Sequence, residues 1–464
     1  MRPCAESLLD TIAALATPIG RSAIALVRVS GERTREILSR VARELPDPIE
    51  PRRPHLVSLT DLDGEPIDRA LATLFLAPAS FTGEDVAEFS VHGSPVVVER
   101  LLRALIACGA RPARPGEFTE RAFRLGKMDL VRAEAIRDLI DSRTEAAARA
   151  SSRRLEGALS SRLTGAREDL LGAAASLAAT IDFSEDVGET VDPSVPRRLR
   201  AARDSLARLA ATYGVGRLLS AGCRVAILGR PNAGKSTLFN ALLGTARAIV
   251  TDVPGTTRDT IEATIDVRGI PVELVDTAGL RETDDHVEKL GVERAREEGE
   301  KAAAVLYVFD AAVGWSEGDG AALVALDGKP VAVVANKIDR LDAAQRSGCG
   351  ARFAPVASPL PVLALCGLAP EAGGSLRALL EQTIAADVPS ESDSEVLASL
   401  RQLDLVERAR AAAADALAAL ERGVSPEYAA THVDSALAAL ADVFGETTSE
   451  DVLQRIFSTF CIGK

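Results

Sequence analysis

Residues 229–236 read Gly-Arg-Pro-Asn-Ala-Gly-Lys-Ser and constrain the fold more than any other part of this 464-residue chain. They fit the pattern G-x-x-x-x-G-K-S, with an apolar run at 223–228 before them and a helical pattern at 236–243 after them. In such a strand–loop–helix unit, backbone N–H groups and the helix N-terminus face a bound phosphate. The pattern predicts an α/β nucleotide domain in which Lys235 reaches the β- and γ-phosphates and the Ser236 hydroxyl binds Mg²⁺.

A second motif, Asp276-Thr277-Ala278-Gly279, follows an apolar run at 272–275. This order predicts that Asp276 holds Mg²⁺ through water and that the Gly279 N–H senses the γ-phosphate. The motif alone is weak evidence, and its order and distance behind the phosphate loop strengthen it.

A third motif, Asn336-Lys337-Ile338-Asp339, ends an apolar run at 331–335. The Asp339 carboxylate can accept hydrogen bonds from the N1–H and 2-amino groups of guanine, a donor pair that adenine lacks. Taken alone, the motif could be a surface turn. Three motifs in this order, each after a strand, predict GTP rather than ATP. The resemblance of this segment to the translation-factor-related GTPases implies a last guanine loop at 365–368. There Leu-Cys-Gly-Leu departs from the family's usual Ser-Ala-Lys, and Cys366 is either part of the loop or a small core residue.

The chain has a net charge of −13 and a pI of about 5.1, so it is not a general nucleic-acid binder. RNA contact would require a basic partner or one of two local basic runs, although a solvated helix face is the simpler interpretation of each run. The candidates are Arg111, Arg114, Arg121, Arg124 and Lys127, and then Arg149, Arg153 and Arg154.

The six cysteines lie far apart, which argues against a zinc site or disulfide framework and suits a reducing cytoplasm. The N-terminus lacks the apolar core of a signal peptide, and we find no apolar run of the roughly 20 residues needed to span a bilayer. We therefore expect a cytoplasmic protein with no membrane partner.

The patterns of apolar residues and helical periodicity along the sequence predict three parts. These are an α+β N-terminal domain, an α-helical central and C-terminal domain, and an α/β P-loop GTPase domain inserted into the helical one. The predicted boundaries are 1–125, 126–219, 220–384 and 385–464, with 387–394 as the linker out of the insertion. In the first domain, strands are predicted at 24–29, 71–76 and 86–91 and a helix at 95–108. Pro193 and Pro196 are expected to open a new helix.

The nucleotide segment resembles the translation-factor-related GTPases. Residues 251–259, Thr-Asp-Val-Pro-Gly-Thr-Thr-Arg-Asp, together with Asn232, resemble the potassium-dependent subgroup. That resemblance implies K⁺ ligation by Asn232, Thr251, Val253 and Thr256, and Mg²⁺ ligation by Thr257 with Ser236. The alternatives are a loop-stabilising amide at Asn232 and an internal arginine finger at Arg258. The whole set of candidate GTP contacts comprises Asn232, Ala233, Gly234, Lys235, Ser236, Thr237, Thr251, Asp252, Val253, Pro254, Gly255, Thr256, Thr257, Asp276, Thr277, Ala278, Gly279, Asn336, Lys337 and Asp339.

Four acidic residues, Glu282, Asp284, Asp285 and Glu288, follow the second motif. Charge alone does not choose among them, and a solvated acidic turn is the simpler interpretation. By position, Glu288 matches the carboxylate that orients the attacking water in the same subgroup.

The flanking segments resemble the MnmE (TrmE) family of tRNA uridine-5-carboxymethylaminomethyl modification GTPases. The resemblance is carried by Phe-Thr-Gly-Glu-Asp-Val at 81–86, by 113–123, and by the ending Cys-Ile-Gly-Lys at 461–464. It implies a homodimer that works with an FAD-containing MnmG-type partner on the wobble uridine of certain tRNAs.

The same resemblance implies a 5-formyl- or 5,10-methylene-tetrahydrofolate site at Arg28, Glu88, Lys127 and Lys464, and a place for Cys461 at the modification site. Arg and Lys suit folate carboxylates, and Glu suits the N–H groups of a pterin. Without the resemblance, the four would be surface salt-bridge residues. Cys461 would be a buried small residue or the start of a prenylation box, for which a final Lys is unsuited.

Two other functions share the nucleotide motifs. A ribosome-assembly GTPase would carry a KH-like or basic RNA domain or a second phosphate loop, and the sequence shows neither. A scaffold that uses GTP only as a dimer clamp would have no folate site, so folate binding would exclude it.

Overall fold

The structure is a computed structural model that describes residues 10–182, 191–245, 248–249, 261–276, 297–326, 328–349, 353, 359–384 and 396–463. The chain divides into two compact units. The first unit is Met1–Arg137 with Leu155–Arg203 and Arg408–Lys464, and the second unit is Asp138–Arg154 with Asp204–Glu407. The predicted domain boundaries stay predictions.

Seven described strands form the sheet of the first unit, in the order β3-β4-β5-β6-β2-β1-β7. They are β1 Ile12–Leu15, β2 Ile24–Ser30, β3 Ala42–Arg43, β4 His55–Thr60, β5 Pro66–Phe75, β6 Val86–His92 and β7 Arg111–Pro112. Buried and less buried residues alternate along β2 and β5, as expected for a sheet with one covered face. The core on that face includes Val27, Phe89 and Leu101. The neighbours β2 and β6 are antiparallel, and their register sets Arg28 opposite Glu88.

The helices before the phosphate loop are α1 Thr34–Val41, α2 Pro95–Ala107, α3 Glu117–Arg124, α4 Leu130–Ile140, α5 Glu145–Glu156, α6 Ala158–Asp182, α7 Ser194–Ala211 and α8 Tyr213–Ala221. Helix α7 begins directly after Pro193 and carries Pro196 in its first turn, where a missing N–H is tolerated. The prediction that these prolines open a helix is confirmed.

The second unit contains a sheet whose described strands follow the order β14-β13-β12-β8-β11-β10-β9. They are β8 Cys223–Gly229, β9 Ala248–Ile249, β10 Ile261–Val267, β11 Ile270–Asp276, β12 Ala304–Asp310, β13 Val331–Asn336 and β14 Val362–Ala364. The pairs among β14, β13, β12, β8 and β11 are parallel. Strands β12 and β13 are apolar and buried almost throughout, as parallel strands covered on both faces must be.

One edge of this otherwise parallel sheet is antiparallel. Strands β10 and β11 form an antiparallel hairpin across Arg268 and Gly269, and both residues have positive φ, at 52° and 84°. Two left-handed residues match the twist of a two-residue hairpin, so the turn selects this pairing.

The remaining helices are α9 Lys235–Thr245, α10 Glu317–Val324, α11 Ala343–Ser347, α12 Ala372–Ile384, α13 Leu400–Glu421, α14 Pro426–Phe444 and α15 Glu450–Phe457, with a 3₁₀ turn at Ile338–Arg340. Among the described helices, none is both long and apolar enough to cross a membrane. The predicted linker at 387–394 lies outside the described residues. The α+β, helical and P-loop α/β parts of the predicted fold class are all present.

Candidate functional site

The phosphate loop leaves β8 at Gly229 and enters α9 at Lys235. Gly229 has φ 140°, and a Cβ atom there would overlap the carbonyl oxygen of Val308 on β12. Glycine is therefore required for the loop to leave the sheet this close to its neighbour. Asn232 at φ 63° and Gly234 at φ 96° turn the chain into the helix, which directs loop N–H groups to one side.

Lys235 is almost fully buried, with 8% of its surface exposed. Its Nζ donates to the carbonyl oxygens of Gly229 and Arg230, at 2.9 and 3.0 Å. The ammonium is therefore held at the phosphate loop by two backbone dipoles. Ser236 is exposed and Thr237 half-buried, so the Ser236 hydroxyl is accessible at the first turn of α9.

Asn336, 2% exposed, joins the phosphate loop to the last guanine loop. Its Nδ2 donates to Ala233 O at 2.8 Å, while its Oδ1 accepts from the backbone N–H of Lys337 at 2.8 Å and of Gly367 at 2.9 Å. A Cβ atom on Gly367 would lie 3.1 Å from Asn336 Oδ1 and 2.8 Å from Leu238 Cδ2, so the loop packs tightly on the amide. The predicted stretch at 365–368 does follow a strand, β14.

Lys337 makes a second link to the phosphate loop. The residue has φ 61°, and its Nζ donates to Asn232 O and, at 2.8 Å, to the carboxylate of Asp310. Burial alone would raise the pKa of Asp310, but the Lys337 ammonium and the Ala312 N–H lower it overall. Sequence reasoning missed Asp310, although its place directly after the apolar strand β12 was a usable signal.

The loop residue Arg230 faces a buried carboxylate. Asp319 is fully buried on α10 and accepts from Tyr307 Oη at 2.9 Å and from Ser316 Oγ at 2.7 Å, and Arg230 Nε lies 3.6 Å from it. Burial and this hydrogen bond both raise the pKa of Tyr307 well above its ordinary value, so the phenol stays protonated. This cluster, also missed from the sequence, supports the start of the phosphate loop.

A pocket of about 310 Å³ opens beside the Asn336–Asp339 turn. Its lining includes Asp339, Arg346, Leu365 and Cys366. Asp339 is exposed, and Cys366 is half-buried rather than part of the core. The two stretches predicted to recognise guanine therefore line one pocket.

Asp276 ends β11 and is 1% exposed, and its register partner on β8 is Ile227, two residues before Gly229. The second motif therefore begins at the same sheet edge as the phosphate loop. The remaining predicted site residues lie outside the described residues: those at 251–257, Arg258, Thr277, Ala278, Gly279 and the acidic group that includes Glu288. Within the described part of the chain, we find no cluster of three or more His, Cys, Asp or Glu side chains suited to a metal ion.

In the first unit, Arg28 and Glu88 form the ion pair that their register implies. Nε and Nη2 of Arg28 both donate to one carboxylate oxygen, at 2.9 and 2.7 Å. The guanidinium also lies 5.3 Å from the ring centroid of Phe81 and 5.7 Å from that of Phe118. The pair therefore sits beside two aromatic rings.

Lys127 borders the same loop as Phe81. Its Nζ donates to Pro78 O at 2.8 Å, and its side chain lies beside Gly83. The C-terminal residues belong to the same unit. The backbone N–H of Gly116 donates to the carbonyl oxygen of Cys461 at 3.4 Å, the Cys461 thiol is free and exposed, and Gly463 packs beside Leu15 of β1. Lys464 lies outside the described residues.

The interpretation as a solvated helix face is wrong for the buried Arg121 and Arg154, and it holds for Arg149 and Arg153, whose side chains are exposed on α5. Arg121, 1% exposed, donates to Asp10, Glu84 and Glu117, and Arg124 pairs with Glu120 at 2.8 Å. In the second run, the buried Arg154 pairs with Asp138 at 2.9 Å. Glu117 and Glu120 lie one helical turn before their arginines, whereas Asp10, Glu84 and Asp138 come from segments more distant in sequence, which local pattern cannot reveal.

The fold and the order of the motifs define a P-loop GTP-binding protein with an added α+β domain and a helical domain. The family model for the GTP-binding protein TrmE N-terminus matches residues 11–127, and the model for the MnmE helical domain matches residues 130–461. The chain belongs to the MnmE (TrmE) family.

Curated relatives match along their whole length. A tRNA modification GTPase MnmE from Roseiflexus sp. is 41% identical, with 98% of this chain and 99% of the relative covered. Two further relatives, also named tRNA modification GTPase MnmE, come from Aquifex aeolicus and Thermotoga maritima. They are 39% and 38% identical to this chain, with 98% of this chain and 100% of each relative covered. Among solved structures, an Era variant from Aquifex aeolicus bound to GDP·AlF₄⁻ is 28% identical and covers 41% of this chain and 66% of its own, at a TM-score of 0.29.

Proposed function

We propose that this chain is a K⁺-stimulated GTPase that modifies tRNA together with an FAD-containing MnmG-type partner. The pair adds a carboxymethylaminomethyl or aminomethyl group to C5 of the wobble uridine, and hydrolysis of GTP to GDP and phosphate is coupled to dimerisation of the GTPase domains. The active form is a cytoplasmic homodimer. The observation that carries the GTPase part is the Asn336 amide, which ties Ala233 of the phosphate loop to Gly367 of the guanine loop. Family membership supports the tRNA part.

In this proposal the phosphates bind at the loop that ends in Lys235, Ser236 and Thr237. The carbonyl partners of Lys235 are neutral dipoles, so anionic phosphate oxygens compete well for its ammonium. The accessible Ser236 hydroxyl and the Asp276 carboxylate are oxygen donors that suit a hard cation. Ser236 and Thr257 would hold Mg²⁺, which would neutralise phosphate charge, and Asn232, Thr251, Val253 and Thr256 would hold K⁺, which would supply further positive charge to the triphosphate.

The proposed role of Glu288 is to orient the attacking water. Replacing it by alanine should leave GTP affinity unchanged and slow single-turnover hydrolysis by about a hundredfold or more. A matched control is Glu282→Ala in the same acidic segment, which should hydrolyse GTP at the normal rate. Normal single-turnover hydrolysis in Glu288→Ala would remove Glu288 from the mechanism.

The proposed one-carbon site uses Arg28, Glu88, Lys127 and Lys464, with a tetrahydrofolate derivative as carrier of the one-carbon unit. The Arg28–Glu88 pair beside Phe81 and Phe118 offers a cation, an anion and aromatic surface, which suits the carboxylates, N–H groups and flat ring of a folate. A chain that binds GTP but no folate would favour the scaffold function.

Cys461 is proposed to act at the modification site, which fits its exposed free thiol. A Cys461→Ser chain should hydrolyse GTP normally and lose tRNA modification. Full modification by this variant would rule out an essential thiol.

The deciding experiment measures modified wobble uridine by mass spectrometry in tRNA from cells that lack this gene, with the wild-type gene restored as control. Loss of the 5-aminomethyl-type nucleoside, recovered on restoration, is the expected result. Unchanged nucleosides in cells without a redundant copy would leave the GTPase assignment intact and favour a ribosome-assembly role.

A further inference from the structure

The turn that carries Asp339 is short and has few bonds of its own. It is a single 3₁₀ turn at Ile338–Arg340 that follows Lys337 in the left-handed conformation. Its internal bonds are Arg340 N–H to Lys337 O and Leu341 N–H to Ile338 O, both 3.1 Å. One turn of 3₁₀ helix has weak hydrogen-bond geometry, so the direction of the exposed Asp339 carboxylate depends on contacts from outside the turn.

Arg346 supplies these contacts. Its Nε donates to Ile338 O at 3.2 Å, and its Nη2 donates to Asp339 O at 2.9 Å and Leu341 O at 3.2 Å. One planar guanidinium thus holds three carbonyl groups of one turn, which a lysine ammonium cannot reproduce in a fixed geometry.

The sequence between the turn and Arg346 directs this side chain backwards. Asp342 caps α11: its carboxylate accepts from Gln345 N–H at 2.7 Å, and its carbonyl accepts from Arg346 N–H at 2.9 Å. Because helical side chains point toward the N-terminus, a residue one turn after the cap projects back over the preceding segment. The capped helix therefore holds Arg346 over the turn.

The same guanidinium lines the pocket of about 310 Å³ that Asp339 and Cys366 also line. Directly after Cys366 in the chain, the backbone N–H of Gly367 already donates to Asn336. Discrimination of the base therefore falls on the Asp339 carboxylate, and a small change in its direction costs affinity for a ligand with a 2-amino group. We infer that Arg346 is a positioning residue for guanine recognition, which fixes the turn that aims Asp339. The inference rests on the proposed GTPase function.

The test compares GDP with IDP, which lacks the 2-amino group, by titration calorimetry on the full chain. Wild type should prefer GDP to IDP. In Arg346→Ala, GDP affinity should fall by about tenfold, because Asp339 is no longer held in one direction, and IDP affinity should fall less. The ratio of GDP affinity to IDP affinity should therefore decrease. A general loss of stability does not produce this effect.

Two variants complete the test. Arg346→Lys should also decrease the ratio of GDP affinity to IDP affinity. If circular dichroism shows that Arg346→Ala does not fold, Arg346→Lys alone tests the role of Arg346. Arg340→Ala is the matched control, because Arg340 belongs to the same turn and its guanidinium instead lies 3.9 Å from Asp310; it should leave the ratio unchanged.

The outcomes separate the two claims. Suppose that the wild-type chain prefers GDP to ADP and that the ratio of GDP affinity to IDP affinity stays the same in Arg346→Ala and Arg346→Lys. This result would overturn the role of Arg346 alone. A wild-type chain that does not distinguish GDP from ADP would overturn the proposed GTPase function and this inference with it.

Discussion

One cation site in the first unit and two in the second are held by different kinds of partner. In the first unit, Arg121 contacts the carboxylates of Asp10, Glu84 and Glu117. In the second unit, Lys235 and Arg346 donate to backbone carbonyls. A carboxylate neutralises the cation and makes it part of the internal structure. A carbonyl fixes the backbone that contributes it and leaves the charge of the cation in place. The first arrangement should therefore govern stability, and the second should govern ligand binding.

The largest effect that this comparison predicts is on stability in the first unit. Arg121→Met keeps the aliphatic packing and removes the guanidinium, which takes the cation from the Glu84 carboxylate, 12% exposed, while Glu117 keeps its pair with Arg111. Breaking a buried pair in this way should lower the free energy of unfolding by about 3–5 kcal/mol. Urea denaturation followed by circular dichroism measures it.

The control is Arg114→Met, whose side chain is 52% exposed although it reaches Glu117 and Glu120. It should cost less than about 1 kcal/mol, as exposed pairs do. GTP turnover per folded molecule should not change in either variant. A loss for Arg121→Met no larger than for Arg114→Met would break the comparison.

The second effect is on ligand binding in the second unit. Lys235→Ala should weaken GDP and GTP binding by about a hundredfold or more, roughly 2.7 kcal/mol, because a charge-assisted contact to phosphate is lost. Fluorescent-nucleotide titration measures the affinity.

Lys329 offers a matched control, since it too is held by carbonyls, those of Gly299, Glu300 and Ala302 at 2.7, 2.5 and 2.8 Å. Lys329→Ala should bind nucleotide normally. If both lysine variants lost nucleotide affinity alike, cations held by carbonyls would stabilise the structure of the second unit rather than bind the ligand directly.

The third effect is the acid sensitivity of the first unit. Burial tends to raise the pKa of Glu117, but hydrogen bonds from the Arg111 side chain and the Arg114 N–H outweigh it and lower that pKa from 4.5 to about 2. A carboxyl whose pKa is lower in the folded state stabilises the fold above pH 4.5, and this contribution is lost as the pH falls toward 2. We expect it to be about 2 kcal/mol after allowance for solvent screening.

The measurement is the urea midpoint between pH 5 and pH 2. Glu117→Gln cannot ionise, so its stability should change less over this range than that of wild type. Parallel pH profiles for the two proteins would contradict the assignment of acid sensitivity to Glu117.

The parts of the fold that local pattern determines were predictable. Strands at Ile24–Ser30 and Val86–His92 and the helix at Pro95–Ala107 agree with the predicted segments to within a residue. The predicted strand at 71–76 is the second half of the longer β5, Pro66–Phe75. The loop at 229–236 was predictable because its glycines and lysine have one physical use together.

What could not be predicted depends on partners distant in sequence. Arg121 looks like a surface arginine until Asp10, more than a hundred residues earlier, is brought beside it by the pairing of β1 with β7. Asp310 and Asp319 acquire their roles only when β12 and β13 become neighbours and when α10 packs near the phosphate loop. Long-range ion pairs leave no periodic signal in one sequence.

The smallest effect concerns Lys337, which combines both kinds of partner. Its ammonium donates to the carbonyl of Asn232 and to the carboxylate of Asp310, so Asp310 both orients it and neutralises it. Asp310→Asn keeps an oxygen that can accept from Ala312 N–H and removes the negative charge. Lys337 then holds the phosphate loop less firmly, and GDP affinity should fall about threefold, less than 1 kcal/mol.

Arg340→Ala, which removes a cation 3.9 Å from the same carboxylate, should leave GDP affinity unchanged. Tighter GDP binding in Asp310→Asn would mean that neutralisation by Asp310 limits the affinity, and the carboxylate would then belong with the stability-governing pairs of the first unit.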